Sequence, residues 1–153
     1  CLAVKKEKIG AGCRNGYGGG IEENETPKQA AVRELLEEAR VKTWEQDLEA
    51  VALLRCENNT ESGKIFTCTV YVFFTRFWLS TPKETKEMGN PEWFPIENLP
   101  PHELMLADRV WLPRLLNKNF LSSKQNMART KKHLLVRFTL KKLACFQKSK
   151  SRS

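Results

Sequence analysis

Apolar positions recur at the three-to-four-residue spacing of a helix face in one early stretch, where Ala30, Ala31, Val32, Leu35 and Leu36 lead toward Ala39. Thr26 stands at the cap position, Pro27 suits a first turn, and Gln29 sits where a capping-box partner belongs. A helix from about Pro27 to Ala39 is therefore expected. Further on the period shortens. Leu48 to Cys56 reads as a strand with imperfect alternation, Asn58 to Gly63 as a hairpin turn, and Ile65 to Trp78, dense in β-branched and aromatic residues, as a second strand. Pro82 to Asn90 is a charged loop, Glu92 to Ile96 a short strand, and Pro100-Pro101 a stop. Leu104 to Leu116 has the spacing of a second amphipathic helix, its regularity limited by Pro113. Cys1 to Val4 resembles the end of a strand, and Leu134, Val136, Phe138 and Leu140 alternate as a last one. Gln147 to Ser153 reads as a disordered tail. Strands flanking one strong helix, followed by another helix, predict an α/β (α+β) fold with a mixed sheet between helices.

Length and charge refine this picture. The 153 residues suit one modest core, expected over residues 1–120, with residues 121–153 as a basic terminal segment. Residues 1–108 carry 13 Lys/Arg against 18 Asp/Glu, whereas residues 109–153 carry 13 Lys/Arg and no acid. An acidic body with a basic tail differs from a uniformly basic nucleic-acid binder, and only weak nucleic-acid contact through the tail is expected. No long apolar run or secretory signal pattern is present, so a soluble, cytoplasmic monomer without membrane contact is the expectation. The five cysteines, Cys1, Cys13, Cys56, Cys68 and Cys145, contain no C-x-x-C pair and read as reduced thiols. With only His102 and His133, imidazole chemistry has little to work with.

The candidate chemistry lies on the first helix. Glu34, Glu37 and Glu38 fall at i, i+3 and i+4, so three like charges project from one face. Such a run is either a solvated helix face or a binding site for a divalent cation, which would turn the repulsion into affinity. All-oxygen ligation suits Mg²⁺, or Mn²⁺, better than Zn²⁺. Arg33 can pair with Glu37 one turn on or reach back to Glu25. Upstream, residues 10–20 hold six of the eight glycines, including Gly18-Gly19-Gly20, which marks backbone that bends sharply or approaches something closely.

Gly19, five residues, Glu25, seven residues, then Arg33-Glu34-Leu35-Leu36-Glu37-Glu38, and after Ala39 a departure at Arg40 before Val41, resembles the Nudix box over 23 residues. Outer segments extend the resemblance from about Leu2 to Phe120 and bring it closest to the MutT-like hydrolases of oxidised purine nucleoside triphosphates. These are Gly10-Ala11-Gly12 before Asn15-Gly16-Tyr17-Gly18-Gly19, Glu87-Met88 before Glu92-Trp93-Phe94, and Asp108 to Pro113.

The resemblance implies a sheet-and-helix sandwich whose loop and helix hold Mg²⁺ against a polyphosphate. Glu34, Glu37 and Glu38 would be the catalytic metal shell, joined by the Gly18 carbonyl and Glu87, with Glu25 and Arg33 in support. Asn15, Tyr17, Gly18, Gly19, Gly20, Met105 and Asp108 would contact the nucleotide. The implied reaction is Mg²⁺-dependent hydrolysis of a purine triphosphate such as 8-oxo-dGTP to the monophosphate and pyrophosphate, cleansing the nucleotide pool.

Bland readings stand beside these. Asn15 is equally a turn residue next to Gly16, Asp108 a helix cap or surface charge, Glu87 part of a solvated loop, and Trp93, Phe94 and Trp111 core residues. Three departures bear on selectivity and stability. Arg40 replaces the glycine that normally ends the box helix in a left-handed conformation, at a cost on the order of 1 kcal/mol. Gly20 stands where relatives often have lysine, and a pocket tryptophan near Met105 and an acid at Ala107 are missing. The chain also starts after the strand that lines the base pocket in relatives, so a fold lacking that first strand is expected. Hydrolysis of another diphosphate-linked nucleoside, or an inactive module that binds nucleotide or RNA, are the competing functions.

Overall fold

The computed structural model describes residues 1–59, 65–124 and 135–142, with side chains over 1–56 and 67–117. Expectations for Thr60 to Gly63, His133, Leu134, Cys145 and the tail from Gln147 fall outside the described residues.

Among the described residues, six strands and two principal helices follow in the order β1 (Leu2–Lys5), β2 (Arg14–Asn15), α1 (Pro27–Ala39), β3 (Leu48–Asn59), β4 (Ile65–Thr75), β5 (Met88–Glu92), α2 (Asp108–Lys124) and β6 (Leu135–Lys142). They form an α/β fold with two three-stranded antiparallel sheets, ordered β2-β1-β5 and β3-β4-β6. Parallel pairing among the described residues is confined to a single bridge between Arg14 and Leu104. Leu2–Lys5 is the central strand of its sheet.

Strand alternation assigns the two faces. Cys1 and Ala3 pack with Leu35 and Ala39 of α1, whereas Leu2 packs with Leu112 and Leu116 of α2. In β4, Tyr71 and Phe73 meet the α1 side, while Cys68, Val70 and Val72 meet Trp111 and Leu115 of α2. Both sheets thus lie between the helices, and each fully buried leucine in these contacts contributes about 1.5–3 kcal/mol.

Helix α1 begins as the sequence predicts. The Thr26 hydroxyl accepts from the Gln29 amide at 3.2 Å, and the Gln29 side chain accepts from the Thr26 amide at 2.9 Å. Ala30, Ala31, Leu35 and Ala39 are buried, but Leu36 is exposed. At the C-terminus Arg40 adopts φ 57° and ψ 27°, the left-handed region, and its amide donates to the Leu36 carbonyl at 3.0 Å.

Several boundaries differ from the sequence expectation for local reasons. The imperfect alternation of β3 is a register break between Ala50 and Ala52, with Val51 as the additional residue. Strand β4 stops at Thr75, not Trp78, because the Thr75 hydroxyl turns the chain by donating to the Phe77 carbonyl at 3.0 Å and contacts the Thr43 hydroxyl at 3.3 Å. The short strand is Met88–Glu92 in place of Glu92–Ile96. Its edge position tolerates Pro91, and Pro95 precedes a 3₁₀ turn at Ile96–Asn98. Helix α2 starts at Asp108, not Leu104, because Leu104 is tied to Arg14; the helix continues through Pro113. Strand β6 pairs along β4 from Thr75↔Leu135 to Cys68↔Lys142, which brings part of the basic terminal segment into the sheet.

Candidate active site

The glycine turn after β2 leads into α1, and two carboxylates of the helix fold back onto it. The Gly18 amide donates to Glu38 Oε2 at 2.5 Å, and Glu38 is buried. At Gly19 a side chain would displace the Glu34 carboxylate, so the glycine gives that carboxylate its room and does not serve an unusual φ. Gly20 faces open space.

Arg33 organises the acidic face. Its guanidinium donates through Nε and Nη2 to both oxygens of Glu25, at 2.9 and 3.0 Å, in a fork-to-fork pair. The same group donates to Glu34 at 3.1 Å, to Glu37 at 3.3 Å and to the Gly20 carbonyl at 2.9 Å. These neighbours hold the Arg33 pKa well above its ordinary value, chiefly through the hydrogen bonds to Glu25. Both pairings that the sequence left open for Arg33 are made. Glu25 and Glu34 are 13% exposed and Glu37 is 57% exposed, so the carboxylates range from walled-in to solvent-facing.

The loop before β5 docks on the end of α1. The Thr85 hydroxyl donates to the Glu38 carbonyl at 2.9 Å, and the Lys83 amide donates to the Ala39 carbonyl at 2.9 Å. Glu87, on this loop, accepts from Lys8 Nζ at 3.0 Å. Lys8 is also within electrostatic reach of Glu34, and these acids, led by the Glu87 hydrogen bond, raise its pKa. Thr85 and Lys8 had no signal in the sequence, since each serves through a contact across some 50 to 80 residues of chain.

Toward the other end of the glycine turn, Asn15 Nδ2 donates to Met105 Sδ at 3.4 Å, and a side chain at Gly10 would press on both. Arg14 fastens this region. It is buried, donates to Glu103 and Glu92 at 2.6 Å each, and lies over the Phe94 ring at 4.9 Å. Asp108 opens α2 and accepts from Trp111 Nε1 at 2.9 Å, and burial raises its pKa.

One expected contact does not take the form expected, and three aromatic residues pack as core. Tyr17 is fully buried beside Leu35, Val41 and Met88, where burial and then the Glu38 charge push its hydroxyl pKa up, so its side chain offers no surface to a ligand. Its local role is to anchor the chain that presents Gly18. Trp93 stacks on Trp78 with ring centroids 5.5 Å apart, and Phe94 and Trp111 also pack against core clusters.

Among the described residues no three His, Cys, Asp or Glu side chains converge on one point able to hold a metal. Glu34 and Glu37 turn to Arg33, while Glu38 turns to the Gly18 amide. The donor set nevertheless fits a hard divalent cation, being all oxygen, and the space at Gly19 lets Glu34 approach the turn.

Comparison with known proteins agrees with this arrangement of glycine turn and acidic helix. The NUDIX domain model matches residues 1–115. The chain is 36% identical over 117 residues to the oxidized purine nucleoside triphosphate hydrolase of Mus musculus, covering 76% of this chain and 71% of that protein. It is 34% identical over the same extent to the protein of that name from Danio rerio. No described helix is long and apolar enough to cross a membrane. The chain therefore belongs to the Nudix family of pyrophosphohydrolases.

Proposed function

We propose that this enzyme hydrolyses purine nucleoside triphosphates, with an oxidised base such as 8-oxoguanine preferred, to the monophosphate and pyrophosphate. The observation that carries the proposal is the folding of Glu34 and Glu38 onto the Gly18-Gly19 turn, with Arg33 holding the acidic face together. The relatives' activity on oxidised purine triphosphates supports the substrate class.

Glu34, Glu37 and Glu38 would hold Mg²⁺, with Mn²⁺ an alternative and the Gly18 carbonyl and Glu87 completing the set. When bound, the cation would neutralise phosphate charge and lower the pKa of water. For its part, the protein keeps Glu34 and Glu38 desolvated beside the turn and leaves Glu37 free to swing from Arg33, to which it is joined by one exposed contact. A carboxylate of this set takes the proton as water attacks a phosphorus of the triphosphate, and pyrophosphate departs. Asn15, Met105 and Asp108 would meet the base, because the first two already touch and Asp108 starts the adjoining helix. Asp108, whose pKa burial raises, would accept a hydrogen bond from a base edge.

Incubating the purified full chain with 8-oxo-dGTP, dGTP, a nucleotide sugar and a dinucleoside polyphosphate, with and without Mg²⁺, separates the alternatives. Pyrophosphate and phosphate are read independently. Pyrophosphate released from the purine triphosphates only with Mg²⁺ is the expected result. Turnover confined to the sugar or dinucleoside substrate would remove the proposed substrate class.

A further inference from the structure

A second reactive constellation lies in the other sheet, outside the carboxylate cluster. Cys56 of β3 and Cys68 of β4 are direct partners in the antiparallel ladder, and their register is unbroken from Ala52 to Asn59. Directly opposed residues in such a ladder have Cα atoms about 4.5 to 5.5 Å apart, within the range that a disulfide spans. Both thiols are free, they share the face that packs on Trp111 and Leu115 of α2, and Cys68 is close enough to influence the Cys56 thiol. Cys68 is buried while Cys56 is partly exposed, so one sulfur is open to a small reagent and the other waits behind it.

We propose that Cys56 and Cys68 are a modification site, a dithiol that a peroxide closes to an intramolecular disulfide. The Cys56 thiolate attacks a peroxide oxygen, breaking the O–O bond to give a sulfenic acid and releasing water after protonation. The Cys68 thiolate then attacks that sulfur and expels hydroxide, which leaves as a second water. Two thiols lose two electrons and two protons, and one hydrogen peroxide is reduced to two waters. Burial, then Cys68 and the Asp108 charge at the start of α2, push the Cys56 thiol up. Closure would staple β3 to β4 beneath the start of α2.

Trypsin provides a direct readout, because cleavage after Arg55, Lys64 and Arg76 separates the two cysteines into peptides 56–64 and 65–76. The full chain is treated with hydrogen peroxide, alkylated, digested and weighed. The expected major product joins these two peptides, is two hydrogens lighter than their sum, and reverts with dithiothreitol. The treated protein should also melt at a higher temperature than the reduced one. Cys56→Ala, at a partly exposed position, should keep the circular dichroism of the parent but lose both the joined peptide and the melting shift. Cys56→Val is the second variant if alanine loosens the hairpin. Both peptides recovered as alkylated thiols after a dose that oxidises Cys13 would overturn the proposal. So would oxidation of Cys56 to a sulfinic acid while Cys68 remains alkylatable.

Discussion

At Gly19 the absent side chain gives the Glu34 carboxylate its place against the turn. Gly19→Ala would push Glu34 away, since the neighbour in the collision is the functional group itself. Displacing a reacting group by about 1 Å costs on the order of 100-fold in rate, whereas stability changes little because the carboxylate is the end of a flexible side chain. Steady-state turnover of this variant should show the loss while a urea melt stays close to the parent; full turnover would mean that Glu34 does not act from this position. Asp108 supports a prediction for stability. Burial raises its folded-state pKa above the unfolded value of about 3.9. Below both values the group is protonated folded and unfolded alike, and burial has no pH-dependent effect. As the pH climbs through the raised folded value, stability is lost and the deficit persists to neutrality. Asp108→Asn keeps an acceptor for Trp111 but cannot ionise. Its stability relative to the parent should therefore grow as denaturant melts move from about pH 3 to about pH 7. An offset that does not change with pH would contradict this. Residue types were readable in the sequence where chemistry repeats at fixed spacing, as for Glu34, Glu37, Glu38 and the Glu25–Arg33 pairing. Tyr17 was not, because a tyrosine beside glycines looks the same whether its ring faces a ligand or the core.

Among the elements, α1 carries its start signal within four residues, Thr26 to Gln29, and those residues form a reciprocal cap. Its end is encoded against local preference. Arg40 occupies the left-handed region because the chain must turn there to bring buried Val41 into the core. Arg40→Gly should relieve strain and raise the unfolding free energy by about 1 kcal/mol, less the additional backbone entropy of the unfolded glycine chain. Turnover should not change, since Arg40 is exposed. A lower melting temperature would show that the Arg40 side chain contributes more than its backbone strain costs. The boundaries of β5 and α2 escaped the sequence pattern for a different reason. Residues 88–92 and Leu104 are fixed by partners far along the chain, through the antiparallel pairing with Leu2–Lys5 and the bridge from Arg14 to Leu104. Local periodicity does not report these contacts.

For the whole molecule, the two sheets between α1 and α2 bring the glycine turn, the end of α1 and the Glu87 loop to one side. Asn15 and Met105 meet farther along β2. The α/β layering was legible because it follows from one amphipathic helix among strands. The division into two antiparallel sheets was not, since strand pairing depends on turns and long-range contacts. Charge asymmetry was visible in composition, but the entry of residues 135–142 into the second sheet shows that a basic run need not be a tail. In the proposed function the acidic face of α1 supports Mg²⁺-dependent hydrolysis. Its most direct test is a Mg²⁺ titration of 8-oxo-dGTP turnover for the parent, Glu37→Gln and Glu38→Gln, with melting temperatures measured on the same samples. Turnover should fall on the order of 100-fold or more in each variant while melting changes little. Parent-like Mg²⁺-dependent turnover in either variant would contradict the role assigned to that carboxylate.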